Sequence, residues 1–428
     1  MDSAASLAPW GPRCTIGSDA MPPDTLLSVE EELALGVELS IINLLDALVE
    51  EAHRRRASDI HIVPAAKSVL VRMRIDGVLQ ETYVIPREIH GEVIARIKVL
   101  AGLRSDEHQA AQDGRFRLTL SGGEDYVDVR VSIAPTYHGE NAVLRLLADR
   151  SKDYSLELLG FSESDREKIG RALERGVGMI LSTGPTGSGK TTTLYTLIKM
   201  LNSSEVSIIT IEDPIEYAVE NVEQIQVNTR SGLTFANGLR SILRQDPDII
   251  MVGEIRDAET AGIAVNTALT GHLLLSTLHT SDAATTLPRL TDMGIDPYLV
   301  ASTISIAIGQ RLVRTVCEEC REERVVPEAL AQALAAIPLA EPLKEGEVLF
   351  AGRGCAACND TGYLGRIGIN EVLVADARIR DAILRKASAN EIRELAIAGG
   401  MTTMLEDGFA KARSGVTTIE EVLRVVHD

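Results

Sequence analysis

Aromatic side chains are scarce in this chain. Phe, Trp and Tyr make up 3% of its 428 residues, with a single Trp. Surfaces that bind single-stranded nucleic acid stack bases on such rings, so the scarcity argues against that use. Positive charge is also in deficit, with 43 Lys and Arg against 62 Asp and Glu and a formal net charge of −19. A chain whose main partner is a phosphate backbone carries the opposite balance, so no nucleic acid is expected as a partner, short of a local basic channel. No run approaches the ~18 consecutive apolar residues of a membrane-spanning helix. Met1 to Pro23 lacks the basic start and apolar core of a secretory signal. Its Pro, Ser, Gly and Asp content reads as a disordered leader, and the expected location is cytoplasmic. Cysteine is sparse too. Four of the five cysteines fall into two C-x-x-C pairs, and Cys14 stands alone in the leader. In a reducing compartment such pairs read as metal ligands rather than disulfides.

What is present begins with a complete phosphate-loop pattern, G-x-x-x-x-G-K-[ST], formed by Gly184, Pro185, Thr186, Gly187, Ser188, Gly189, Lys190 and Thr191, with Thr192 next in the chain. Glycines let the backbone turn tightly and aim several N–H groups at one phosphate chain. Lys190 would reach the outer phosphates and Thr191 Oγ1 would ligate Mg²⁺. Gly178–Ser182 before the loop reads as a short buried strand. Residues 192–200 after it read as a helix whose N-terminus favours an anion. Strand, glycine loop and helix together make the setting the motif requires.

Residues 1–35 read as the leader and 36–147 as a small α+β domain. In the latter, Ile41–Ala52 has helical spacing, Val69–Ile75 and Tyr126–Ser132 alternate like strands, and Asp76-Gly77 signals a hairpin turn. Residues 148–160 read as a linker. From 161 to 310 helices alternate with strands at 178–182, 207–211, 249–252 and 273–277, which implies a parallel sheet covered by helices on both faces. A cysteine-bearing region follows over 311–373, and a helical tail over 374–428.

Three further clusters belong to the 161–310 region. Strand 249–252 runs into Gly253 and Glu254, where a P-loop ATPase ordinarily has an Asp for the Mg²⁺ shell, so Glu254 is the candidate for the Mg²⁺ or water shell. Glu212, Asp213 and Glu216 follow strand 207–211 at its carboxyl end, where ligands sit in such sheets. Pro214 keeps them in a loop, and Glu216 is favoured as general base, supported by the other two. His272 and His279 bracket the strand at 273–277. His279, at its carboxyl end, is placed as a γ-phosphate sensor. Arg240 and Arg244 stand four apart and read as one helical face, either at a subunit interface or in water.

These boxes, in this order, resemble the ATPases of type II secretion and type IV pilus assembly. Gly253-Glu254 is itself that family's modified Walker B, and Ala57–Ile62, Arg74–Leu79, Gln112–Arg115 and His138–Glu140 are similar to family segments outside the core. The resemblance covers about residues 36–428. It implies a RecA-like P-loop core joined to an N-terminal PAS-like domain in a homo-hexamer. Arg115 and Arg130 match family arginines that reach the phosphates from the N-terminal domain. Members often carry a further N-terminal domain that docks on an inner-membrane platform protein. About 35 residues precede the matching region here, so that mode of docking is not implied.

Cys317, Cys320, Cys355 and Cys358 form two knuckles that suit tetrahedral structural Zn²⁺, with iron–sulfur binding or a redox pair as the alternatives. The retraction branch of the superfamily generally lacks the knuckles, so the resemblance points to the assembly branch. The expected activity is hydrolysis of ATP with Mg²⁺, using Lys190, Glu254, Glu216, His279, Arg115 and Arg130, to drive a pilus or pseudopilus at the cytoplasmic face of the inner membrane. A nucleic-acid motor on the same core and a nucleotide-binding scaffold without turnover are the rival readings.

Overall fold

A computed structural model describes residues 27–121, 126–147, 155–335, 337 and 339–426. The leader up to residue 26, with Cys14, and linker residues 148–154 lie outside them. The chain divides into two compact units, Met1–Asp149 and Arg150–Asp428.

The first unit runs α1 (Val29–Ala34), α2 (Ile41–Arg54), β1 (Ala57–Pro64), β2 (Ser68–Ile75), β3 (Val78–Pro86), α3 (His90–Leu100), β4 (Gln112–Thr119), β5 (Tyr126–Thr136) and β6 (Gly139–Leu147). The strands form one antiparallel sheet in the order β3-β2-β1-β6-β5-β4. One residue of each alternating pair on β5 is buried: Val127, Val129, Val131 and Ile133 enter the same core as Leu44, Leu48, Ile94 and Ile97 of the helices. The alternate residues face away from that core, as a two-residue period demands. Asp76 and Gly77 join β2 to β3 with both φ angles positive, the backbone of a tight hairpin turn. Helix α1 falls inside the stretch read as leader. Ser28 caps it in a capping box with Glu31, and Val29 is buried, so local capping and one apolar anchor suffice to fold it there.

The second unit runs α4 (Glu163–Glu174), β7 (Gly178–Thr183), α5 (Lys190–Leu201), β8 (Ile208–Glu212), β9 (Glu223–Gln226), α6 (Phe235–Ile242), β10 (Ile249–Val252), α7 (Ala258–Leu269), β11 (Leu273–Leu278), α8 (Ala283–Asp292), α9 (Pro297–Thr303), β12 (Ile304–Val316), β13 (Arg321–Val325), α10 (Glu328–Leu334), β14 (Val348–Gly352), β15 (Tyr363–Val374), α11 (Ala377–Leu384), α12 (Ala389–Ala398), α13 (Met404–Arg413) and α14 (Ile419–Val426). The four strands read from sequence stand within a residue of their expected places. They are β7, β8, β10 and β11.

Seven strands order as β15-β12-β7-β11-β10-β8-β9, parallel except for antiparallel β15 at the edge. Helices cover both faces of this RecA-like α/β sheet. Met179 and Leu181 of β7 enter one core, with α6, α7, α8, α9, α11 and α12. Ile180 between them enters the other, with α4 and α5. Each such side chain taken fully out of water contributes about 1.5–3 kcal/mol.

The cysteine-bearing region is not a body of its own. A boundary at residue 310 falls in the middle of β12, and one at 373 near the end of β15. The residues between these two strands fold back as the β13–β14 ribbon. Helices α13 and α14 then pack on the far ends of β12 and β15 through Phe409, Val422, Val313 and Ile369.

Candidate functional site

The parallel sheet delivers the phosphate loop from the carboxyl end of β7. Gly184 has φ +144°, and a Cβ there would stand 2.4 Å from Gln310 O and 2.6 Å from Ser188 Oγ, so no other residue fits. Gly189, at φ +92°, starts α5. Lys190 is buried, and its Nζ donates to Gly184 O at 2.8 Å and Pro185 O at 2.9 Å. Burial lowers its pKa, and the charge of Glu254 partly opposes that fall. Thr191 is exposed at the mouth of the loop, as are Pro185, Thr186 and Gly187, while Thr192 is half-buried. Ser188 Oγ and Gln310 Nε2 are buried without a hydrogen-bond partner. These two orphan polar groups, one in the loop and one beside it, fit a polar ligand, since such groups are costly when left unpaired. Gln310 escaped sequence reading. It reaches the loop because β12 pairs with β7, and its Oε1 accepts from Thr193 Oγ1 at 2.8 Å.

Glu254 follows β10, and its carboxylate receives Arg256 Nη2 at 2.6 Å and His279 Nε2 at 3.1 Å. Burial pushes its pKa up, but the hydrogen bonds and charges of Arg256 and His279 outweigh burial and hold it below the usual carboxylate value. Glu254 is therefore an anion with two donors. His279 stands at the carboxyl end of β11, as expected. His272, at the other end, bonds Thr267 O at 3.2 Å and serves the turn between α7 and β11.

The acidic box behaves differently. Glu212 is buried and accepts from Tyr195 Oη, from Thr210 Oγ1 at 2.6 Å and from Gln224 Nε2 at 3.1 Å. Burial and that carboxylate push the Tyr195 hydroxyl pKa up. Asp213 and Glu216 are exposed on the loop beyond β8. The charge of Asp213 is felt by Arg256, and the backbone of Glu216 hydrogen-bonds Tyr195. The carboxylate joined to His279 is Glu254. Arg240 and Arg244 do not form a continuous helical face: α6 ends at Ile242, Arg244 Nη1 donates back to Arg240 O at 2.8 Å, and Arg240 pairs with Glu259.

In the first unit, Arg115, Arg130 and Arg145 stand directly opposite one another on β4, β5 and β6. All three lie on the sheet face away from the core. Arg145 Nε donates to Asp59 Oδ1 at 3.0 Å. The register sets three guanidinium groups side by side, an arrangement that like charges disfavour, with Arg145 paired to Asp59. The family resemblance pointed to the first two members of the row, which composition and spacing alone do not single out. Arg145 needs the strand register to be seen.

The four knuckle cysteines carry no disulfide, and their sulfurs all lie within 4.8 Å of one another. Four sulfurs bound at about 2.3 Å to one tetrahedral centre stand about 3.8 Å apart. Cys317–Cys355 and Cys320–Cys358 are separated by 3.9 Å and Cys355–Cys358 by 3.7 Å. Backbone N–H groups of Cys355 and Gly362 point at Cys358 Sγ, each at 3.2 Å. The donor set and spacing fit Zn²⁺.

A family model for the type II/IV secretion system protein matches residues 37–424. A type II secretion system protein E of Xanthomonas campestris pv. campestris is 46% identical over 414 residues, 97% of this chain and 72% of that protein. The type II secretion system ATPase E of Vibrio cholerae is 43% identical over 420 residues, 96% of this chain and 81% of that protein. The type IV pilus assembly ATPase PilB of Thermus thermophilus is 45% identical over 397 residues, which span 92% of this chain and 44% of that longer protein. Among solved structures, the pilus retraction motor PilT with bound ADP aligns with 90% of this chain and 97% of its own, at TM-score 0.59 and 26% identity. The Legionella pneumophila ATPase DotB aligns at TM-score 0.64 and 24% identity over 90% of this chain and 95% of its own, a likeness of fold. A phosphate loop, a glutamate in the Walker B place and matches across nearly the whole length agree, and the chain belongs to the type II/IV secretion system protein family.

Proposed function

We infer that this chain hydrolyses ATP to ADP and phosphate and uses the energy to assemble a pilus or pseudopilus. The observation that carries the reading is the convergence of Lys190 with the Glu254–His279 pair at the carboxyl ends of β7, β10 and β11, where parallel sheets bind ligands. Phosphoryl transfer to water is catalysed by positioning and charge stabilisation. Lys190 exchanges the carbonyls of Gly184 and Pro185 for phosphate oxygens, joined by loop N–H groups from Gly187 to Thr192. Glu254, ionised and held by two donors, orients the attacking water. His279 reports the terminal phosphate to Glu254. Glu216, exposed on the loop beyond β8, is the second carboxylate for the water. Arg115 and Arg130 place always-charged guanidinium groups on the transferring phosphate.

Mg²⁺ would be held by Thr191 Oγ1 with Glu254 in its shell, and would neutralise developing charge. Zn²⁺ would be held by Cys317, Cys320, Cys355 and Cys358, a closed structural site with no position left for water. We assign the working form to a homo-hexamer that meets inner-membrane platform proteins from the cytoplasmic side. Among the described residues no helix is long and apolar enough to cross a membrane.

Phosphate release from purified chain tests the activity. Lys190→Ala and Glu254→Gln should each slow it on the order of a hundredfold or more. Full activity in Lys190→Ala defeats the assignment.

A further inference from the structure

The loop 279–282 carries His279 and lies between β11 and α8. Its two ends are held by different parts of the chain. On the nucleotide side, Thr280 N donates to Thr183 Oγ1 at 3.2 Å, and Thr183 Oγ1 donates to Thr280 O at 3.0 Å. Thr183 is the residue immediately before Gly184. On the far side, Asp282 caps α8 by accepting Thr285 N at 2.8 Å, and its carboxylate forms an ion pair with Arg393 of α12. Asp282 is nearly buried whereas Arg393 is partly exposed, with side chains 11% and 42% accessible.

Glu371 of β15 completes the far side. It is 4% exposed, accepts Ala283 N at 2.8 Å through Oε1 and Met404 N at 3.3 Å through Oε2, and so joins the first N–H groups of α8 and α13. The strand register sets this up: Thr183, Gly309 and Glu371 stand side by side on β7, β12 and β15. A Cβ at Gly309 would lie 2.8 Å from Glu371 Cγ and 3.1 Å from Ala283 N, so glycine there leaves room for the carboxylate. Burial raises the Glu371 pKa, and the N–H groups and Arg393 pull the other way. The loop that bears the sensor is thus suspended between the phosphate loop and the C-terminal helices.

We propose that Arg393 and Glu371 are positioning residues for catalysis: by fixing Asp282 and the start of α8, they hold His279 against Glu254. The proposal rests on the ATPase reading of the site. Neither residue is within the phosphate loop, so ground-state nucleotide binding does not depend on them. What depends on them is the geometry that His279 and Glu254 share when the terminal phosphate is transferred.

Steady-state phosphate release and affinity for a fluorescent ADP, measured on the full chain, test the idea. Arg393→Ala should lower kcat about 3- to 10-fold, from a coupling of the size found between contacting groups, while affinity for ADP stays within about twofold. Arg393→Lys, which keeps a charge for Asp282, should recover most of the loss. Glu371→Gln should act like Arg393→Ala, because its NH2 group, a donor, replaces one of the two oxygens that accept from Ala283 N and Met404 N. An unchanged kcat in Arg393→Ala, or equal losses in kcat and ADP affinity, overturns the proposal. Hydrogen exchange separates this from failure of the ATPase reading. In Arg393→Ala the amides of Thr280 and Ala283 should exchange faster while those of β7 do not, even if wild-type chain turns over no ATP. Unchanged protection at Thr280 and Ala283 also overturns it.

Discussion

Glu421 shows how one side chain ties down the end of the molecule. It is buried on α14, and its two oxygens receive Arg314 Nη2 at 2.6 Å, Arg314 N at 3.2 Å, Arg424 Nη2 at 2.7 Å and Arg424 Nε at 3.0 Å. Burial pushes the carboxyl pKa up, but the two arginines overcome it and bring the value to about 2. A depressed carboxylate stabilises the fold fully above its unfolded pKa of about 4.5, and that stability is lost as pH falls toward 2. Glu421→Gln should cost about 2 kcal/mol at pH 7, and the gap to wild type should close as the pH is brought from 4.5 to 2. Denaturant melts followed by circular dichroism at several pH values check it, and a gap independent of pH contradicts the assigned cause. At this scale some of the site was legible. Lys190, Thr191, Glu254 and His279 announce themselves by motif or by place at a strand end. Gln310, Arg145, Glu371 and Arg393 do not, because each acts through a neighbour far away in the chain.

The elements that sequence reading found are those with a strong local signal. Short, wholly apolar strands such as Ile249–Val252, bounded by Pro247-Asp248 and Gly253, need no partner to be recognised. The long strands β12 and β15 mix Arg, Gln, Thr and Asn with apolar residues, and their pairing is what makes them strands. The knuckles sit at the open end of that pair. Gly309 lies beside Thr183, and Cys317 is roughly 25 Å farther along by strand rise. Metal there therefore bears on the ribbon and the helical tail rather than on the phosphate loop. Metal analysis should find about one zinc per chain. Cys320→Ser with Cys355→Ser should lose the metal and lower the melting temperature, yet keep nucleotide affinity. Loss of nucleotide binding in step with the metal would rule out a purely structural site.

The whole molecule is two units whose charges serve different ends. The first unit carries the Arg115–Arg130–Arg145 row, and the second holds the phosphate loop and an ionised Glu254. If the row serves the phosphates of a ring-shaped assembly, specific activity should rise with chain concentration. Arg115→Ala and Arg130→Ala should each slow turnover on the order of tenfold while Lys190 and its loop remain folded. Activity assays over a dilution series, with fluorescent nucleotide binding beside them, measure both. Turnover that is independent of concentration and unaffected by either substitution would remove the row from the mechanism.

What the sequence alone pointed to was a nucleotide site: a glycine loop with its lysine and threonine, a glutamate just past a short apolar strand, and four cysteines in two short turns. Backbone turns and motif spacings are short-range properties, so they can be read along the chain. What the tertiary structure decided was which residues meet. Strand register set Thr183, Gly309 and Glu371 in line, joined Glu254 to His279 and left Glu216 on the surface, and aligned three arginines across one sheet. Those meetings come from pairing and burial between segments far apart in the chain, and no local pattern carries them.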